Sequence, residues 1–272
     1  MSSRHPLKFA ARVGMFKHLA GESLSEQIAF AAAQGFAAFE YRQLLRRSQN
    51  DIEKYSLELS AHNMTWGAAC VWEEYSDSVL NNDRKIPSGS DFNLQAVRTV
   101  DCAYNVQELK SGVIVPGRLE RGISRSRHFD RIEHVLYTRE AERLGFTYVL
   151  QPRQHLPGAT PMLLETVADA AELCERMNSP AVKILYDVYE QTMNGRDVAE
   201  DVRRYQRHIG YLHVGDAPGN KEPGTGKIRF DSLFAQLREQ CFEGVIGLDH
   251  GHSRPGIEGE LAVLEAHRRL LA

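Results

Sequence analysis

The sequence predicts an α/β chain folded as a single (β/α)8 TIM barrel over residues 1–272, and three observations predict it. The length of 272 residues is close to that of one such barrel. Short β-branched or aromatic runs alternate with amphipathic helical patterns, the mark of βαβ units. Four strand-like runs each deliver a metal-liganding side chain at or just past their ends: Thr147–Leu150 is followed by Gln151, Lys183–Tyr186 by Asp187, Ile209–Leu212 by His213, and Gly244–Leu248 by Asp249. In a parallel barrel the C-terminal strand ends share one face, so these four side chains are expected to converge there.

Taken in order, Lys8–Val13 reads as the first strand and Leu24–Gln34 as a helix, with Leu24, Ile28, Ala31 and Ala32 near one face and Gly35 stopping it. Ala37–Tyr41 is the second strand and places Glu40 at its exit. Asn50–Ser60 is a helix and Met64–Val71 the third strand, with Trp66 and Trp72 beside it. Glu73–Ser90, polar and rich in turn residues, reads as a long loop over the barrel mouth. Phe92–Tyr104 and Ser126–Leu144 read as helices on either side of a fourth strand near Glu108–Val115. In the second half, Thr160 is the expected N-cap of a helix over Pro161–Met177, with Pro161 at its first position. Further helices are expected at Val198–Tyr205, Ser232–Gln240 and Glu258–Leu271.

Composition narrows the function classes. At 42% hydrophobic and 25% charged residues the chain has an ordinary globular balance. A formal charge of −3 argues against a nucleic-acid partner. The arginines Arg118, Arg121, Arg125, Arg127 and Arg131 read as a solvated loop and helix face. No apolar run approaches the ~20 residues of a membrane span, and the first residues lack the apolar core of a signal peptide. Cys70, Cys102, Cys174 and Cys241 are scattered without a CxxC pair, which fits buried, reduced thiols in a cytoplasmic protein.

Gln151, Asp187, His213 and Asp249 form a mixed oxygen and nitrogen donor set. Such a set suits a divalent cation, Mg2+ or Mn2+ first and Co2+ or Fe2+ next, better than a structural zinc. Around it, Arg153 is a candidate partner for a substrate carboxylate and His155 a candidate polar contact. Glu222 and Lys227 flank the Gly224-Thr225-Gly226 turn, a candidate phosphate cradle. Glu40 faces either the pocket or a neighbouring strand. His250 and His252 are not assigned as ligands.

Three segments carry a family resemblance: Tyr186-Asp187-Val188-Tyr189, Ile209–Asp216 and Glu222–Ile228, with looser support from Gly14-Met15-Phe16 and from Gly35 to Glu40. They resemble the hydroxypyruvate isomerase family of xylose isomerase-like barrels. The resemblance implies a metal-dependent isomerisation or epimerisation of a small hydroxy-keto acid or sugar. It makes Gln151, Asp187, His213 and Asp249 the metal ligands. In that family two glutamates touch the metal and shuttle a proton. This chain has Gln151 before Pro152 at the first of those positions and Asp249 at the second, and Glu190 where the family has a substrate-contacting histidine. Asp249 or Glu190 is therefore the expected single remaining base, since an amide cannot act as a base near neutral pH. A repurposed barrel enzyme (lyase, dehydratase or cyclising enzyme) and a non-catalytic ligand-binding homologue stay open. The expected partner is a small-molecule substrate, with homo-oligomerisation also open.

Overall fold

In a computed structural model, residues 6–73, 109–119, 122–155 and 158–271 are described. Nine parallel strands form one sheet: β1 (Lys8–Arg12), β2 (Ala38–Glu40), β3 (Thr65–Trp66), β4 (Ala69–Glu73), β5 (Ser111–Val115), β6 (Thr147–Leu150), β7 (Val182–Asp187), β8 (Ile209–Val214) and β9 (Val245–Leu248). Their order is β3-β2-β1-β9-β8-β7-β6-β5-β4, so the two ends of the sheet are adjacent in sequence. Trp66 also bridges Leu109, and the sheet curls into a nearly closed barrel. The helices among the described residues are α1 (Lys17–Ala20), α2 (Leu24–Ala33), α3 (Gln49–Ala61), α4 (Arg125–Val135), α5 (Thr138–Leu144), α6 (Val167–Met177), α7 (Val188–Met193), α8 (Val198–Tyr205), α9 (Phe230–Glu239) and α10 (Gly256–Leu271).

Alternation along the strands divides the apolar side chains into two layers. Phe9, Phe39, Ile184, Tyr186, Leu212, Val214, Ile246 and Leu248 belong to the large cluster shared with the helices. Val113, Val115, Val149, Leu185 and Tyr211, with Ala68 and Met162, form a smaller cluster of their own inside the barrel. The inward sequence Tyr211-x-His213 continues this alternation, as do Leu185-x-Asp187 and Val149-x-Gln151. The register sets Asp187 opposite His213 and Val214 opposite Leu248. The inner core is therefore topped by polar side chains at the C-terminal rim, and that placement follows from period-2 geometry.

Several expected elements differ in the structure. The third strand is split: β3 and β4 are separated by Gly67 and Ala68 because the Ala68 N–H leaves the ladder and donates to the Tyr211 hydroxyl at 3.2 Å. At Gly67 a Cβ would lie 2.8 Å from that hydroxyl and 3.0 Å from Glu40 Cβ. The helix expected over Ser126–Leu144 is two helices, α4 and α5, broken where the buried Leu136 turns to an extended backbone (ψ 116°).

The helix expected from Pro161 begins only at Val167. Backbone groups of the intervening residues are used by other loops: Leu163 N–H donates to Gly117 O, while Pro161 O and Leu164 O accept from Leu119 and Arg153. Thr166 and Asp169 then form the capping box that starts α6. Helix α7, capped by Asp187, was not anticipated. The expected loop over Glu73–Ser90, beyond its first residue, and the helix over Phe92–Tyr104 lie outside the described residues, as do Glu108 and Cys102. Of the other thiols, Cys174 is buried, Cys70 is half-buried, and Cys241, expected to be buried, is exposed. No helix among the described residues is long and apolar enough to cross a membrane.

Candidate active site

Three of the four expected ligands meet at the C-terminal rim. One donor atom from each of Asp187, His213 and Asp249 lies within 4.8 Å of the others. Asp187 ends β7 and caps α7, its Oδ1 accepting the Glu190 N–H at 2.9 Å. His213 lies in β8 and is almost fully buried. Its Nδ1 faces Asp249 Oδ2 at 3.4 Å and is buried without a hydrogen-bond partner among the described residues. Buried polar atoms are normally paired, and an imidazole nitrogen left bare beside two carboxylates is what a cation site requires. Two oxygen donors and one nitrogen fit a divalent cation and leave further coordination positions open.

Glu40, at the end of β2, lies against the opposite edge of the same imidazole. Its two oxygens are 3.0 and 3.1 Å from His213 Nε2, and Oε2 also accepts the Tyr211 hydroxyl at 2.7 Å. The sequence left the direction of Glu40 open. The signal was its place as the last residue of a three-residue inward-outward-inward run, Ala38-Phe39-Glu40.

Gln151 is fully buried, and its amide oxygen accepts from both terminal nitrogens of Arg42 at 3.3 and 3.4 Å. Its amide nitrogen has no acceptor. Arg12, at the end of β1, places a guanidinium nitrogen 3.8 Å from Asp249 Oδ1 and donates to His250 O at 2.8 Å. Arg153 pairs with Glu190 at 3.1 Å. The sequence reading picked out Arg153 but missed Arg12 and Arg42. Arg12 was findable from alternation along β1; Arg42, two residues past Glu40, has the same inward parity.

These charges sort the acids. Burial alone raises the carboxyl pKa of Asp249, but His213, Arg12, Arg42 and Arg153 outweigh it and hold the group below the usual value. Burial wins at Asp187, whose pKa is raised despite His213, and at Glu190, raised despite Arg153. For His213, burial lowers the pKa, but Glu40 and Asp249 push harder and the net shift is upward.

The remaining expected contacts have these partners. His155 is held by Glu165 at 2.5 Å. Glu222 is buried and accepts from both the backbone and the hydroxyl of Ser253. Lys227 is exposed. The Gly224-Thr225-Gly226 turn is no phosphate cradle: Asp216 fills it, accepting the N–H groups of Gly224 at 2.9 Å, Gly226 at 2.7 Å and Ile228 at 3.1 Å. His250 is buried, and its Nδ1 lies 2.8 Å from Gly251 O; His252 Nε2 lies 2.8 Å from Met15 O.

Comparison with known proteins places this geometry in context. A family model described as xylose isomerase-like TIM barrel matches residues 28–271. A hydroxypyruvate isomerase from Escherichia coli is 21% identical over 252 residues, which are 90% of this chain and 93% of its own. Among solved structures, an Escherichia coli 3-keto-D-glucoside 4-epimerase in its apo form superposes with a TM-score of 0.73 at 19% identity, over 97% of this chain and 98% of that one. The IOLI protein with a binding zinc atom gives a TM-score of 0.71 at 17% identity, over 97% and 98% of the two chains.

Proposed function

The chain belongs to the xylose isomerase-like TIM barrel family, and from that premise we propose that it is a metal-dependent isomerase or epimerase of a small hydroxy-keto acid or sugar. The observation that carries the reading is the convergence of Asp187, His213 and Asp249, with the buried His213 Nδ1 left bare between the acids. The hydroxypyruvate isomerase and 3-keto-D-glucoside 4-epimerase relatives support the reaction class.

Asp187, His213 and Asp249 would hold the cation, Mg2+ or Mn2+ by their donor set. When bound, it polarises a substrate carbonyl and acidifies the adjacent C–H bond. Asp249, kept ionised by His213 and three guanidinium groups, is the base that takes the proton from that carbon. Glu190, with its pKa raised by burial, retains a proton more readily and is the group that would return one to the substrate. Arg153 holds Glu190 in place, and with Arg12 it offers bidentate partners to a substrate carboxylate. Gln151 takes no proton; its oxygen is engaged by Arg42. That engagement favours chemistry with a single base, and it leaves a lyase or dehydratase as the second reading.

The test is metal content of the purified protein, then turnover of hydroxypyruvate and short ketoses with Mn2+ restored. One cation per chain with turnover is expected. A bound cation without turnover of any such compound defeats the isomerase reading. No cation after reconstitution defeats metal dependence.

A further inference from the structure

We propose that Glu40 is a positioning residue: its buried carboxylate holds His213 in the tautomer protonated on Nε2, and so turns the Nδ1 electron pair toward Asp187 and Asp249. The inference rests on the metal-site reading above and adds to it the group that makes the histidine a ligand.

A neutral imidazole carries one N–H, and its partner decides which nitrogen bears it. Nε2 lies 3.0 and 3.1 Å from the two Glu40 oxygens, whereas Nδ1 has no hydrogen-bond partner. An ionised carboxylate only accepts, so the proton belongs on Nε2. The Tyr211 hydroxyl is fixed in the same sense. Its oxygen receives the Ala68 N–H at 3.2 Å, and its own hydrogen is directed to Glu40 Oε2 at 2.7 Å. Glu40 thus accepts from two donors at a site where it is 3% exposed and His213 1%. A carboxylate at such depth is costly unless it is satisfied in this way.

The surrounding chain leaves room for this pair. A Cβ at Gly247 would come within 2.4 Å of Glu40 Oε2 and 2.9 Å of the His213 ring, and one at Gly67 within 3.0 Å of Glu40 Cβ. The side-chain space at Gly247 is thus taken by the carboxylate–imidazole pair, and that at Gly67 by the Tyr211 hydroxyl and the stem of Glu40. Because Glu40 lies behind the imidazole edge opposite Asp249, it acts through His213 and is not itself a ligand.

The test uses the full chain. Protein labelled with 15N-histidine is examined without metal at rising pH until the His213 shifts report a neutral imidazole, and the His213 signals are identified by their loss in His213→Asn. The wild type should show the Nε2–H tautomer, and Glu40→Gln should move the proton toward Nδ1. Titration with Mn2+ should give a ten- to hundredfold weaker affinity for Glu40→Gln. Tyr211→Phe removes the other donor to the same carboxylate while leaving the His213 contact. It should keep the tautomer and change Mn2+ affinity far less than Glu40→Gln does, because the Nε2–Glu40 contact is retained.

An Nδ1–H tautomer in the wild type overturns the proposal. So does an equal loss of affinity in Tyr211→Phe, which would make Glu40 a packing element only. If the wild type binds no Mn2+, the metal reading of the site fails, but the tautomer measurement still decides the role of Glu40. That measurement on the wild type also stands if Glu40→Gln does not fold.

Discussion

His213 and His267 are both about 1% exposed, yet the chain puts them to opposite uses. His213 sits at the barrel rim between Glu40 and Asp249, and its pKa is raised although burial works against it. His267 sits on α10 in the outer layer, stacked on Phe36 at 4.0 Å and edge-on to Phe9 at 5.2 Å. Neither of its ring nitrogens has a hydrogen-bond partner among the described residues, and burial, reinforced by Arg268, lowers its pKa to about 4. Burial is common to both residues, so burial does not make a site. The acids do. An imidazole enclosed by carboxylates is a ligand and a proton partner, whereas one enclosed by phenyl rings is a flat, neutral core group.

The comparison can be broken most severely at Asp249. Asp249→Ala removes the proposed base and should lower kcat on the best of the tested hydroxy-carbonyl substrates by about 10²–10⁴-fold, the usual worth of a positioned base. Intact turnover would end its assignment. Next comes the ligand itself: His213→Ala should weaken Mn2+ by more than about a hundredfold, the upper end for outer partners of a ligand. His267→Ala should leave that affinity unchanged in the same titration.

Gly247→Ala should act on both stability and binding. Its methyl group would meet Glu40 Oε2 at 2.4 Å, and overpacking of this kind costs about 1–3 kcal/mol. Urea unfolding and Mn2+ titration should both register it.

A last effect concerns pH and sharpens the contrast from the other side. The native pKa of His267, about 4, lies below the ordinary 6.5. The unfolded chain therefore takes up a proton that the native state refuses. Stability is unaffected above pH 6.5 and falls by about 1.4 kcal/mol per unit as pH drops from there toward 4. Below that it levels off. Comparing urea midpoints at pH 7.5 and pH 5, His267→Phe should remove this part of the acid sensitivity. The sign is reversed at His213, where protonation is favoured in the native state. Mn2+ competes with that proton, so its affinity should rise with pH.

Much of this was legible in the chain. Strand-like runs ending in Gln151, Asp187, His213 and Asp249 located the rim because a period-2 strand fixes which residue faces inward, and parallel strands fix which end is shared. Glu40 was legible as a strand-end acid but not as a partner of His213, since nothing local relates two residues 173 positions apart in sequence. Arg12 and Arg42 carry the inward parity of rim residues, but their pairing with Asp249 and Gln151 was not legible for the same reason. Glu222, Lys227 and the Gly224–Gly226 turn looked like ligand-binding elements because glycines and flanking charges advertise one. What the sequence could not show was that Asp216 already fills that turn. The helix expected from Pro161 failed because local propensity cannot anticipate that Gly117, Leu119 and Arg153 use the backbone of that segment.

By itself, then, the sequence determined the βαβ alternation, the inward parity of the rim residues and the chemistry of the donor set. These depend on periodicity and on side-chain type. Only the tertiary structure decided which carboxylate meets which imidazole nitrogen, that Arg42 takes the oxygen of Gln151, and that His267 is left without an acid. Those outcomes depend on distances across the barrel, where burial and neighbouring charge, set by distant parts of the chain, fix what each ionisable group can do.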